Sequence, residues 1–186
     1  MSLTALDART ALLVVDLQEG TVGLPTVHPA HEIVDRAAEL VAAFRSQGLP
    51  VVLINVAGGA PGRNELPPSS RALAPNWTEL VPQMKAEAGD HVVTKTTWDA
   101  FPGTDLYSYL QSRKVTQVVL AGIATSIGVE STARSAYALG YNVALATDAM
   151  TDLNAEAHHN AVERIFPMLG ETGTTEEIIK LVRGSR

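Results

Sequence analysis

Four segments of the chain, TALLVVD (Thr10 to Asp16), PVVLINV (Pro50 to Val56), VTQVVLAG (Val115 to Gly122) and YNVALATDA (Tyr141 to Ala149), are short, mainly apolar runs rich in valine and alanine. A strand with one wet face alternates polar and apolar residues, whereas unbroken runs suit strands buried on both faces of a parallel sheet. HVVTK, His91 to Lys95, is a shorter strand that ends on a lysine. The segments between them have helical spacing. Pro29 to Gln47 carries Ile33, Ala37, Leu40, Val41 and Phe44 on one face and stops at Gly48 and Pro50. TDLYSYLQSR, Ile127 to Leu139 and Asn154 to Phe166 follow, the last two stopped by Gly140 and Pro167, and TTEEIIKLV opens on a capping box from Thr174 to Glu177. Such alternation specifies an α/β fold of three layers, read as a single domain over residues 1–186, with any site beyond the carboxyl ends of the strands.

Residues 57–90, around AGGAPGRNELPPSSRALAPNW, are rich in Gly, Pro and Ser and read as a long excursion with a short helix, of the kind that covers a site. Twenty acidic residues against 14 basic ones give a formal net charge of -6, which argues against a nucleic-acid partner. The chain has no cysteine, which excludes disulfides, thiolate metal sites and any Cys nucleophile. The apolar run near the N-terminus is cut short by Asp16, and no stretch reaches the roughly 20 apolar residues of a bilayer span. The expectation is a cytoplasmic protein, not bound to membrane, that acts on small molecules.

The strand ends nominate the site. Asp16 closes the first strand, Lys95 closes HVVTK, Gly122 to Gly128 follow VTQVVLA, and Asp148 lies at the end of YNVALATDA. A carboxylate and an ammonium from different strands at one sheet edge can meet and hold a proton-transfer group in an apolar cleft. Taken singly, such an Asp also serves as a turn or helix cap, and such a Lys snorkels to solvent. His28 and His31 start a helix without a matching carboxylate and read as solvated, and the adjacent His158 and His159 cannot share a helix face, so no metal is assigned. GGAPGR lacks the Lys-Ser/Thr of a phosphate loop and no G-x-G-x-x-G follows the first strand, so no cofactor is assigned. Trp98 and Phe101, just after Lys95, suit either core packing or the lining of a pocket.

Taken together, LLVVDLQ, KTTWDAF and GIATSIGVESTARSAYALGYNVALATDAMTD resemble the isochorismatase-like hydrolase superfamily, which includes nicotinamidases and other cysteine hydrolases. The likeness covers nearly the whole chain. It implies a Rossmann-like fold with a mostly parallel six-stranded sheet, hydrolysis of a small organic substrate without a cofactor, and a homo-oligomer. In the cysteine branch an Asp, a Lys and a Cys form a triad, and Asp16 and Lys95 match the first two. The family pattern G-[IV]-A-T-x-x-C-V-E falls on GIATSIGVE, with Gly128 at the nucleophile's position. The resemblance further implies a cis peptide between Ile123 and Ala124, and a substrate pocket drawn from Gln18, Trp98, Phe101, Ile123, Ala124, Thr125 and Gly128.

Glycine keeps the loop and removes the attacking atom, so amide hydrolysis through a thioester is excluded at this position. The superfamily's true isochorismatases also carry glycine there and cleave a vinyl ether without a covalent intermediate, although they usually have an aromatic residue and a His where this chain reads ATSI. In that scheme Asp16 is the general acid, and the missing Cβ leaves space for a bulkier substrate. Burial raises the pKa of Asp16 and a close Lys95 lowers it, so a substrate carboxylate is expected to engage Lys95 and favour the acid form. Arg63 and Arg71 of the excursion are the bidentate partners in view for a dicarboxylate, and Ser126 is expected to cap the following helix. The alternative is a pseudoenzyme, or a small-ligand-binding homologue, that lost its nucleophile.

Overall fold

The computed structural model describes residues 3–65 and 73–184. Its sheet has six parallel strands, β1 (Thr10–Val15), β2 (Val51–Val56), β3 (His91–Lys95), β4 (Gln117–Ile123), β5 (Asn142–Thr151) and β6 (Glu171–Gly173), in the order β3-β2-β1-β4-β5-β6. Every residue of β1 and β4 is buried, as their unbroken apolar sequences require. A short helix, α1 (Glu19–Val22), follows β1, whose side chains alternate between two cores. Leu12 and Val14 pack with α2 (Ala30–Ser46) and α7 (Thr175–Gly184) on one face, and Ala11, Leu13 and Val15 pack with α3 (Leu106–Ser112) and α4 (Glu130–Ala138) on the other. The result is the three-layer α/β/α arrangement expected from the alternation of strands and helices.

The order reverses beside β1, which pairs with β2 on one side and β4 on the other. The chain therefore leaves the carboxyl ends of β1 and β4 in opposite directions and opens a crevice between them. Asp16 follows β1 and the Ile123–Ala124 peptide, which is cis, follows β4, so both sequence motifs arrive at that crevice.

Three elements differ from the sequence reading. β6 is three residues long, too short to show a pattern. β5 runs on to Thr151 because its pairing with β4 jumps from Leu120↔Leu145 to Gly122↔Met150, a bulge that takes in Asp148. The segment expected to stop at Pro167 forms α5 (Ala155–Asn160), a wider π turn over Ala161–Ile165 and α6 (Phe166–Leu169), in which Pro167 sits in the first turn, where a missing N–H is tolerated. The capping box is present: Thr174 N donates to Glu177 Oε2 at 2.9 Å, and Glu177 N to Thr174 Oγ1 at 3.2 Å. In the excursion a short helical turn spans Pro82–Met84.

The described part of the excursion is tied to the segment after β1. Gln18 forms an antiparallel bridge with Leu80, in which Glu19 N donates to Glu79 O at 2.8 Å and Val81 N to Leu17 O at 3.2 Å, and a Cβ on Gly20 would lie 2.8 Å from Trp77 Cε2, so the indole rests on the bare glycine. Gly20→Ala is expected to displace Trp77, read as a red shift and quenching of tryptophan emission together with a loss of about 1–3 kcal/mol in a urea melt.

Candidate active site

Asp16 has a φ of 53°, the left-handed region that Asp tolerates better than most residues. Its N–H still donates to Ile54 O at 2.8 Å, so the chain turns sharply at the moment it leaves the sheet. Thr21 Oγ1 donates to the Asp16 carbonyl and fixes the turn. The side chain thereby meets Lys95 of β3, whose Nζ donates to Asp16 Oδ2 at 2.7 Å, across 79 residues of sequence. Asp16 is 5% exposed and Lys95 2%.

Lys95 is fully committed. Besides Asp16, its Nζ donates to Thr97 O at 3.2 Å and Trp98 O at 2.9 Å, which accounts for the three donors of an ammonium. The expected engagement of a substrate carboxylate by Lys95 is thus corrected: no proton of the ammonium is left over. Asp16 is the reverse case. Oδ2 is held, while Oδ1 is buried and has no hydrogen-bond partner among the described residues. Burial pushes the Asp16 carboxyl up to about 6, against the charge and the hydrogen bond of Lys95, which pull it down. Because Oδ2 accepts from Lys95, a proton on this carboxyl belongs on Oδ1.

Gly128 faces the pair from the turn Thr125–Val129, a π turn that leads into α4. A Cβ built on Gly128 would lie 3.0 Å from Val15 Cγ1, 3.2 Å from Asp16 Oδ2 and 3.4 Å from Lys95 Nζ. Position 128 is therefore the third corner of the Asp16–Lys95 site. The missing Cβ itself leaves little space, since atoms of Val15, Asp16 and Lys95 lie 3.0–3.4 Å from where it would stand.

The isochorismatase domain model matches residues 10–177. The chain belongs to the isochorismatase family. It is 41% identical over 179 residues to the isochorismatase family protein YecD of Escherichia coli O157:H7, covering 91% of this chain and 94% of that protein. Among solved structures, an isochorismatase family protein from Burkholderia thailandensis superposes with a TM-score of 0.92 at 39% identity, over 98% of this chain and all of that one. Streptothricin hydrolase of Streptomyces noursei is 37% identical over 140 residues, which is 75% of this chain and 48% of that protein.

Within this family member, several sequence-nominated residues take other places. Gln18 is corrected from a pocket residue to a clasp: its Nε2 donates to Val56 O at 3.0 Å and Trp77 O at 2.6 Å, and its Oε1 accepts from Val56 N at 2.7 Å, which commits both protons of the amide and turns its oxygen to the backbone of β2. Phe101 is corrected to a core residue, 9% exposed and stacked near Tyr141, which precedes β5 at the opposite end of the sheet from the crevice. Trp98 is 64% exposed, with its carbonyl on Lys95. Asp148 is structural. Its Oδ1 accepts from Thr175 N and Oγ1, which starts α7. Arg63 is exposed and Arg71 lies outside the described residues.

Asp152 was not anticipated. It is 1% exposed, its Oδ2 accepts from Ser126 N at 2.6 Å and its Oδ1 from Leu153 N at 2.7 Å. The capping attributed to Ser126 is supplied by this carboxylate, and no side chain caps the turn from within. A signal was available in ATDAMTD: the second Asp sits where a strand lengthened by two or three residues would end.

His28, expected to be solvated, and His158 also contribute. His158 Nδ1 pairs with Thr125 Oγ1 at 2.9 Å, His28 Nδ1 pairs with Thr151 Oγ1 at 3.1 Å, and the two rings meet edge to face at 4.8 Å. Burial, then the neighbouring His28, lowers the pKa of His158. Neither pair forms a metal centre, and the described residues hold no cluster of three or more His, Cys, Asp or Glu able to ligate an ion.

Proposed function

We propose that this isochorismatase-family chain is a cofactor-independent hydrolase of a small organic substrate and that Asp16 works as a general acid without a covalent intermediate. The name of the similar streptothricin hydrolase supports hydrolysis as the reaction type. The observation that carries the mechanism is the asymmetry of Asp16, with Oδ2 on Lys95 and a buried Oδ1 that has no partner among the described residues. A vinyl ether is the substrate class that suits it. Asp16 gives its proton from Oδ1 to the terminal vinyl carbon, the C=C electrons form that C–H bond, and the adjacent carbon becomes an oxocarbenium ion. Water adds to that carbon and loses a proton to the carboxylate, and the hemiketal falls apart to a ketone and an alcohol. Lys95 steadies the carboxylate that appears after proton transfer, through a bond already in place. No step asks for a nucleophile at position 128, in keeping with a chain that has no cysteine.

The test is a panel of vinyl ethers set beside amides, followed as ketone or amine release. Asp16→Asn should lower vinyl ether turnover by about a hundredfold or more, the usual worth of a positioned acid. The acid form is the active one, so kcat/KM in the wild type should fall as pH rises through about 6. Turnover of amides alone, or turnover indifferent to Asp16→Asn, would reject the mechanism, and ligand binding with no turnover would favour a binding homologue.

The same titration enters stability. The folded pKa of Asp16 lies above the ordinary 3.8, so this group favours the fold below about pH 4 and that contribution is lost as pH rises through about 6. Asp16→Asn should flatten this portion of a stability profile measured by urea melts between pH 4 and 7.

A further inference from the structure

The site's third corner and its lysine belong to different parts of the chain, and one buried hydroxyl lies between them. Thr132 of α4 is fully buried. Its Oγ1 donates to Gly128 O at 2.7 Å, and the same oxygen accepts from Ala100 N at 3.2 Å. The first bond alone carries little, because a helical Thr commonly donates to the carbonyl four residues back. The second bond crosses to the loop that supplies Lys95 with its acceptors, Thr97 O and Trp98 O. One helical turn on, Ser135 Oγ donates to Asp99 Oδ2 at 2.5 Å, and Asp99 Oδ1 accepts from Phe101 N at 3.0 Å. Residues three apart share a helix face, so α4 fastens residues 99–101 at two points.

We infer that Thr132 is a positioning residue, which sets the distance between the Gly128 turn and the carbonyl cage of Lys95 and so holds the three corners of the site together. The inference rests on reading Asp16, Lys95 and position 128 as the site. Thr132 touches no reacting atom and works through Gly128 and Ala100. Removing its hydroxyl takes a donor from the Gly128 carbonyl and the acceptor from the Ala100 N–H inside the core, and with them the link that keeps the turn and the loop from parting.

A thiol placed at the third corner reports on this without any substrate. Gly128→Cys is made first, and its alkylation by iodoacetamide is followed against pH. Lys95 Nζ and Asp16 Oδ2 both face this thiol; the carboxylate is offset by its own ion pair with Lys95, and the turn adds the N-terminal end of α4, so the thiol should titrate at least about one unit below the ordinary 8.5. An ordinary thiol there would overturn the reading of the site, separately from the role of Thr132. In the Gly128→Cys background, Thr132→Val, which keeps the shape, should return the titration toward 8.5 and slow alkylation near pH 7 about tenfold, whereas Thr132→Ser should keep the rate and titration of the Gly128→Cys parent. Circular dichroism establishes that each variant is folded, with Thr132→Ala replacing Thr132→Val if the latter is not. A folded Thr132→Val protein that melts earlier but keeps the parent's titration would overturn the inference, as would a Ser variant that behaves like Val.

Discussion

Lys95→Met should destabilise the protein by about 3–5 kcal/mol at pH 7, the usual consequence of removing one partner of a buried ion pair. Methionine fills much of the volume, so packing is not the main loss. What changes is that Asp16, 5% exposed and with Oδ1 already unpartnered, loses the bond to Oδ2 as well. Thr97 O and Trp98 O lose their donor in the same step. The carboxylate can escape its charge only by taking a proton, so the penalty should shrink as the pH is lowered toward 4, where the unfolded chain also begins to hold that proton. Adding Asp16→Asn to Lys95→Met removes the stranded charge. The double variant should regain most of the lost stability at pH 7, since replacing both members of a buried pair is often neutral or better. Urea melts of the wild type, both single variants and the double variant form a cycle that isolates the coupling. A loss below about 1 kcal/mol for Lys95→Met would mean that the pair is solvated, as surface pairs are.

Gly122→Ala is the second large effect, and its cause lies in the backbone. Gly122 has a φ of 126°, outside the range of L side chains, and it pairs with Val15 in the seam between β1 and β4. A Cβ there would run into the Val15 carbonyl, with Val15 N 2.8 Å away. Neither atom can yield without breaking the ladder that presents Asp16. The expected result is a loss of about 4 kcal/mol or more, or a chain recovered unfolded, in the range where a named backbone clash is required. Gly58→Ala is the control. A Cβ at Gly58 meets nothing within 4 Å, and the change should fall within about 0.5 kcal/mol of the wild type. Equal melts for the two variants would show that the seam is looser than described.

The ion pair behind the first effect was legible in the sequence, whereas the backbone of Gly122 behind the second was not. Asp16 and Lys95 were legible because a continuous apolar strand ending on a charged residue places that charge at the sheet edge where sites form. The five longer strands and the long helix α2 were legible for the same reason, their period being written in consecutive residues. β6 and the bulge in β5 were not, because three residues carry no period and a bulge depends on the neighbouring strand. The resemblance supplied the cis peptide between Ile123 and Ala124, which the structure has, and put position 128 beside Asp16, in accord with the 3.2 Å approach.

The pocket residues fared less well, for a common reason. Gln18 and Phe101 sit next to site residues in sequence, but each side chain points to a different partner, Val56 and Trp77 in one case and Tyr141 in the other. Position in a motif does not give side-chain direction. The same limit hid Asp152, Thr132 and the pair His28 and His158, each of which has a partner 26 or more residues away. Such contacts are set by tertiary packing, and only the assembled turn shows that Ser126, Thr125 and Gly128 are each held from outside.

The role given to Asp16 depends on a carboxyl that keeps its proton well above the ordinary range while one oxygen stays free. Carbon-13 NMR of aspartate labelled at the carboxyl, with Asp16→Asn used to assign its resonance, reads this titration directly in the intact protein. The expected midpoint is about 6. A midpoint near the ordinary 3.8 would contradict the buried acid and with it the chemistry assigned to the site.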